Sequence, residues 1–103
     1  MRQDVHPGLV ALLPAPEGQL HLRLANDIAA VAAALPALQS FIAHHMLPAR
    51  IANRLEVVFE ELATNPIRHG FRPGSDQGLH VTVAMAGRRV CLDVEDDGCR
   101  FDA

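Results

Sequence analysis

A strict alternation of apolar and polar residues marks the first strand that the sequence predicts. In residues 18–24 (GQLHLRL), leucine occupies every second position and polar residues lie between. Because successive side chains of a strand point to opposite faces, this pattern predicts a half-buried strand. Residues 1–17 carry three prolines and a short apolar patch. We expect a mobile tail or an edge strand there.

Two longer segments have helical spacing. The first follows an N-cap at Asn26 or Asp27, is rich in alanine and runs to about His45. Pro36 lies inside it, where we expect a kink or a split into two helices. The second helix is expected over residues 48–69, with a proline in its first turn. Its apolar stripe consists of Leu55, Val58, Phe59 and Leu62.

The last part of the chain predicts a β-hairpin. Residues 79–86 and 89–95 alternate in polarity, and Gly87-Arg88 supplies the turn between them. One face of both strands is apolar, and we expect both helices to cover it. The predicted fold is α/β, in the form of an α+β two-layer sandwich with a mostly antiparallel sheet and two long helices on one face.

The second half of the long helix carries polar residues that can bind a ligand. Glu61 and Asn65 are four residues apart, so they lie one turn apart on the same helix face. Carboxylate and amide oxygens suit a hard cation such as Mg²⁺. Gly70 then ends the helix. The plainer alternative is that Glu60 and Glu61 form an ordinary exposed acidic pair.

A second candidate motif follows the last strand. The sequence VEDDGCRFD covers residues 94–102, and Asp96-Asp97-Gly98 predicts a turn at the strand's end. Gly98 allows a positive φ angle or a close approach of the backbone to a ligand. An acidic side chain beside it can accept a hydrogen bond from an amine. The alternative is a turn without a ligand.

Together the two motifs resemble those of the Bergerat-fold ATPase superfamily of gyrases, histidine kinases and mismatch-repair proteins. The closest resemblance is to its bacterial branch of anti-sigma-factor serine/threonine kinases. ELATNPIRHGF resembles the N box of that family, and DDGCRFD resembles its first glycine box. The order of elements also matches. Residues 18–103 are therefore expected to form the N-terminal part of a histidine-kinase-like ATPase domain.

The resemblance implies a role for each matching residue of the N box. Glu61 matches the acid that acts as general base on a protein hydroxyl. Asn65 matches the residue whose side-chain oxygen binds Mg²⁺ beside the phosphates. Arg68 and His69 lie one turn further on, near the place where phosphates would bind, and Arg68 offers several donors.

In the glycine box, the resemblance implies that Asp96 accepts a hydrogen bond from the adenine amino group. Gly98 matches the glycine that lets the backbone approach the base. The implied cofactors are ATP and Mg²⁺. Two features depart from the family pattern. Pro66 follows Asn65 directly, removing a backbone donor from the helix, and Cys99-Arg100 occupies a short loop where the family prefers small residues or proline.

The resemblance implies a regulator that phosphorylates an antagonist (anti-anti-sigma) protein on Ser or Thr and binds a sigma factor, and the sequence pattern leads us to expect a cytoplasmic protein. The alternatives are a non-catalytic, degenerate or truncated Bergerat domain that binds a protein, and the catalytic fragment of a two-component histidine kinase. The chain stops at Ala103, before the family's ATP lid and second glycine box. Because the sheet then lacks strands, we expect a homodimer or another self-association.

Composition limits the other function classes. The net charge is −3 and all nine basic residues are arginine. We expect no nucleic-acid surface, no lysine-based phosphate site and no membrane-spanning segment. The histidines are expected in structural or surface roles rather than as zinc ligands, since the adjacent His44 and His45 should diverge on a helix. Cys91 is expected to be a small buried residue.

Overall fold

The computed structural model describes residues 9–69 and 78–96, without the side chains of residues 66–69 and 96. Four strands and two helices lie in this part of the chain. In order they are β1 (Val10–Leu13), β2 (Gln19–Ala25), α1 (Ile28–His44), α2 (Ala49–His69), β3 (Gly78–Ala86) and β4 (Arg89–Asp96).

The strands form one antiparallel sheet in the order β1-β2-β3-β4. Leu22 of β2 lies opposite Val81 of β3, which lies opposite Val94 of β4. Paired residues share a face of the sheet, so these three side chains point to the same side. Both helices lie in the connection between β2 and β3, and a pair of helices returns the chain so that β3 runs antiparallel to β2.

Both helices cover the apolar face of the sheet, which confirms the expected two-layer α/β fold. The core is made of Leu22, Leu24, Ala30, Val31, Ala34, Leu38, Phe41, Leu55, Phe59, Ala63, Leu79, Val81 and Val83. The stripe of α2 differs in one position from the expectation. Leu62 is 41% exposed and Ala63 is fully buried. Because Leu55, Phe59 and Ala63 are spaced four residues apart, they form a narrow buried stripe along α2. Leu62 lies at the edge of this stripe and is therefore partly exposed to solvent.

The first helix begins at an N-cap residue and continues through its proline. The Asp27 side chain accepts a hydrogen bond of 2.9 Å from the backbone N–H of Ala29. Of the kink or split expected at Pro36, the split is wrong, because α1 is one helix from Ile28 to His44, and the kink stays a prediction. Pro36 removes the helical donor to the carbonyl of Ala32, and both residues are exposed, so water can replace that donor. Within the described residues, neither helix is long and apolar enough to cross a membrane.

The two faces of the hairpin correct the expectation for Cys91. This residue lies opposite Ala84 on the face away from the helices, and it is exposed rather than buried.

The turn of the hairpin follows the prediction. Gly87 has a φ of 63° and Arg88 is not among the residues with positive φ, which is the pattern of a type II′ turn. β1 lies at the other edge of the sheet, where it pairs with β2. The division of the chain into a tail or edge strand of residues 1–17 and an ATPase domain of residues 18–103 stays a prediction.

The C-terminus of α1 ends in a Schellman motif. The N–H of Met46 donates to the carbonyl of Ala43, and the N–H of Leu47 donates to that of Ile42, both at 3.1 Å. Met46 occupies the left-handed position with a φ of 52°, although glycine is the usual residue there. His45 is the C-cap, with a φ of −95° and a ψ of 4°.

This helix end corrects the expectation that His44 and His45 diverge. Their ring centroids are 4.8 Å apart and the rings are perpendicular. Because His45 is the C-cap, its backbone leaves helical geometry, and the angular spacing of a regular helix no longer separates the two rings. The His45 ring lies 4.5 Å from the ring of Phe41.

Replacing Met46 with glycine is expected to stabilise the fold. The left-handed conformation costs a residue with a Cβ atom about 1–2 kcal/mol, and the greater flexibility of unfolded glycine offsets part of that gain. The Met46 side chain is 85% exposed, so its removal loses little burial. We expect the free energy of unfolding to rise by about 1 kcal/mol in urea denaturation. Met46→Ala is the matched control, because alanine keeps the Cβ atom; an equal gain in both variants would contradict this explanation.

Candidate functional site

The buried stripe of α2 determines where its polar residues point. Phe59 is 1% exposed, and its side chain packs in the core between α2 and the sheet. Glu61 follows two residues later, about 200° further around the helix, and therefore faces away from the sheet. Asn65 lies one turn beyond Glu61, and both residues are exposed. Glu61 and Asn65 are thus on the accessible side of α2, as binding a ligand requires.

An open groove of about 360 Å³ lies between α1 and α2, beside the N box. Its lining residues are Ile28, Val31, Ala32, Glu60, Glu61 and Thr64. The α1 wall is apolar, and the α2 wall carries two carboxylates and one hydroxyl. Asn65 is outside this lining, one turn beyond Glu61. The carboxylate of Glu61 can therefore be reached by a side chain of a bound protein.

Thr64 has a defined hydrogen bond on the α2 wall. Its hydroxyl donates to the carbonyl of Glu60 at 2.7 Å and lies 3.5 Å from the carbonyl of Glu61. This back-bonding inside a helix leaves the lone pairs of the hydroxyl oxygen for a ligand. Sequence reasoning gave Thr64 no role in a ligand site, although its spacing of three from Glu61 places it on a neighbouring part of the helix surface. No sequence motif indicates that Ile28, Val31 and Ala32 of α1 line the groove.

The topology brings the second half of α2, which carries Glu61 and Asn65, and the end of β4, where the second motif begins, to the same end of the molecule. Ala25 at the end of β2 lies opposite Gly78 at the start of β3, and Leu79 lies opposite Asp96 at the end of β4. α1 starts just after Ala25, and the groove shows that its first turns lie beside the second half of α2. α2 also packs against β4. The C-terminal half of α2 and the end of β4 are therefore neighbours in the fold.

The remaining candidate residues are placed only by their backbone, or not at all. Arg68 and His69 are in the last turn of α2, and Asp96 is the last residue of β4. Their side chains are outside the described part of the structure, as is all of Gly98. The convergence of Asn65 and Asp96 on one nucleotide stays a prediction. So do the roles of Arg68, His69 and Gly98.

Comparison with known proteins provides independent information on the same region. The family described as "Histidine kinase-like ATPase domain" matches residues 24–103. A segment of 54 residues is 32% identical to the serine/threonine-protein kinase BtrW of Bordetella bronchiseptica. This segment covers 52% of the present chain and 38% of that kinase. No solved structure matches the chain.

The family match includes the last two residues of β2, both helices, β3 and β4, and both candidate motifs. It therefore covers the buried core residues other than Leu22, as well as the groove beside Glu61. The antiparallel sheet with two helices on one face agrees with this assignment. The chain belongs to the family of histidine kinase-like ATPase domains.

Proposed function

We propose that this protein binds ATP with Mg²⁺ and acts as an anti-sigma-factor-type serine/threonine kinase. Its substrate would be a hydroxyl group of an antagonist protein. One observation carries the proposal: in a chain of the histidine kinase-like ATPase family, the Glu61 carboxylate lines an open groove near the end of the sheet where β4 terminates. A general base must be reachable by the hydroxyl that it deprotonates, and Glu61 meets that condition.

The residues around the groove fit a nucleotide with a magnesium ion. Asn65 offers an exposed amide oxygen one turn from Glu61, and carboxylate and amide oxygens are ligands that Mg²⁺ prefers. We assign the metal to Asn65, the adenine amino group to Asp96 and the backbone approach to Gly98. Bound Mg²⁺ would neutralise charge on the phosphates.

For the phosphate end of the nucleotide, we assign contacts to Arg68 and His69. Both residues lie in the last turn of α2, after Glu61 and Asn65 in the same helix. A guanidinium group can donate two parallel hydrogen bonds to a phosphate, and a protonated imidazole adds positive charge.

In this mechanism the chain's own residues position the acceptor hydroxyl and move its proton. The apolar wall of Ile28, Val31 and Ala32 would contact the substrate segment that carries the serine or threonine. Glu61 would accept the hydroxyl proton as the hydroxyl oxygen forms its bond to the terminal phosphorus of ATP and the bond from that phosphorus to the leaving ADP breaks. Thr64, whose own hydroxyl proton is held by the Glu60 carbonyl, would accept a hydrogen bond from the same segment.

A second candidate is a non-catalytic domain that binds a protein, and two observations favour it. Pro66 lies inside α2 directly after Asn65, so the helix lacks one backbone donor beside the metal site. Apolar side chains are also exposed around the groove, with Ile28 at 42% and Leu62 at 41%. Such a surface suits a protein partner with or without nucleotide. The partners proposed in both cases are a sigma factor and its antagonist protein.

We expect Mg-ATP to bind with a dissociation constant below about 1 mM, corresponding to more than about 4.1 kcal/mol. Asn65→Ala is expected to remove the magnesium dependence of binding, and Asp96→Asn to weaken binding of adenine nucleotides. Isothermal titration calorimetry measures both effects. Asp93→Asn is the matched control, since Asp93 is an exposed carboxylate of the same strand. Binding weaker than millimolar in the unmodified protein would leave only the protein-binding candidate.

Glu61→Gln is expected to lower phosphate transfer to a serine-bearing antagonist by about 10²-fold or more, because it removes the base but keeps the shape. Nucleotide affinity should be retained. Transfer of labelled phosphate is the measurement. Glu60→Gln removes an equal charge from the same groove and should cause a much smaller loss. Equal losses in the two variants would show that groove charge, rather than a general base, accounts for the effect.

Self-association is the remaining proposal for this protein, through the edge of the sheet at β4. In the strand order of the described residues, β4 pairs with β3 alone, and its eight residues form a long edge. We expect sedimentation velocity to show a species of twice the chain mass at micromolar to millimolar concentration. A folded species that stays monomeric at the highest concentration would rule the dimer out.

A further inference from the structure

We propose that Glu17, His44 and His45 form a binding site for Zn²⁺ that ties the β1–β2 turn to the end of α1. One potential ligand atom from each of these three residues lies within 4.8 Å of the other two. The site is separate from the groove beside Glu61 and does not depend on nucleotide binding. Its basis is the position of the three side chains and the backbone that holds them.

Glu17 is held by a turn of defined type. The N–H of Gln19 donates to the carbonyl of Pro16 at 3.1 Å, and Gly18 has a φ of 84°. A positive φ at the third residue of a hydrogen-bonded turn identifies type II, with Glu17 at the second position. The carbonyl of Gly18 also accepts a hydrogen bond of 2.8 Å from the N–H of Met85, which fixes the turn to β3.

The two imidazoles are held by the end of α1. The N–H of His45 donates to the carbonyl of Phe41 at 3.1 Å, and the Schellman hydrogen bonds of Met46 and Leu47 follow directly. The His45 ring also packs on Phe41, which is 7% exposed. His44 is freer, and its Nε2 lies 3.9 Å from a carboxylate oxygen of Glu17. The backbone of all three ligands is therefore fixed before any metal binds.

The donor set selects the kind of metal. Two imidazoles and one carboxylate match three-ligand zinc sites, in which water takes the fourth position of a tetrahedron. With Zn–N and Zn–O distances of about 2.0–2.2 Å, tetrahedral ligands lie roughly 3.3–3.6 Å from one another. Rotation of the exposed Glu17 and His44 side chains would bring the ligand atoms, which lie within 4.8 Å of one another, to that spacing. Mg²⁺ prefers oxygen ligands, so the same ion is not expected at this site and at Asn65.

The site lies at the opposite end of the molecule from the N box. Gln19 begins β2 next to Glu17, and Ala25 ends β2 beside the start of β3. Seven residues of strand separate the two ends by about 20 Å. A metal at Glu17 would link the β1–β2 turn with the end of α1. Because the ligands are brought together by folding, Zn²⁺ should bind the folded state preferentially and stabilise it.

The test is calorimetric titration of the whole chain with ZnCl₂, with thermal unfolding measured in parallel. We expect one zinc ion per chain and a higher melting temperature with zinc. Glu17→Gln and His44→Asn should each weaken binding by about tenfold or more, corresponding to about 1.4 kcal/mol. Both residues are exposed, with side-chain exposures of 89% and 71%, so both variants should keep the fold.

His21→Asn is the matched control, because His21 is at the same end of β2 but hydrogen-bonds to Gln19. It should leave the zinc affinity unchanged. Zinc affinity that is the same in Glu17→Gln and the unmodified chain would overturn the proposal, as would zinc binding that only His21→Asn removes. Absence of zinc binding in the unmodified chain would also overturn it, and would leave the proposed nucleotide site unaffected.

Discussion

Packing of α2 against the apolar face of the sheet is the contact on which the proposed site depends. Phe59, with Leu55 and Ala63 one turn away on either side, fixes the rotation of the helix about its axis. Glu61 and Asn65 belong to other faces of the same helix and are exposed as a result. A loss of Phe59 packing would therefore disturb the direction of both polar residues as well as the stability of the core.

The pair of helices between β2 and β3 then determines what lies at each end of the molecule. α1 leaves from the end of β2, and α2 returns to the start of β3, so the second half of α2 lies beside the first turns of α1. This arrangement gathers the N box and the end of β4 at one end. The β1–β2 turn and the C-terminus of α1, with Glu17, His44 and His45, lie at the other. The topology thus keeps the two proposed sets of ligand residues, which differ in chemistry, at opposite ends of the molecule.

Much of the fold follows from local patterns in the sequence. The alternating leucines of β2, the hairpin turn at Gly87 and the N-cap at Asp27 depend on neighbouring residues, and the structure has all three. Other features depend on packing between distant elements. Leu62 is exposed because Ala63 fills the narrow contact with the sheet, and Cys91 is exposed because the register places it on the open face.

The site was predictable to a similar extent. The face of α2 that carries Glu61 and Asn65 follows from helical spacing, but the apolar wall that α1 contributes to the groove depends on how the helices cross. The closeness of His44 and His45 depends on the departure of the C-cap from helical geometry. A sequence pattern that assumes a regular helix to its last residue cannot show it.

Both helices also contain a proline in their interior, Pro36 in α1 and Pro66 in α2. Each lacks the amide hydrogen that would bond to the residue four positions earlier, namely Ala32 and Leu62. Ala32 lines the groove, and Leu62 is 41% exposed. The main-chain oxygens of these two residues lack that helical donor, so they can accept hydrogen bonds from solvent or from the amide and hydroxyl groups of a docked polypeptide. Two positions with apolar side chains therefore offer a backbone hydrogen-bond acceptor to a bound partner.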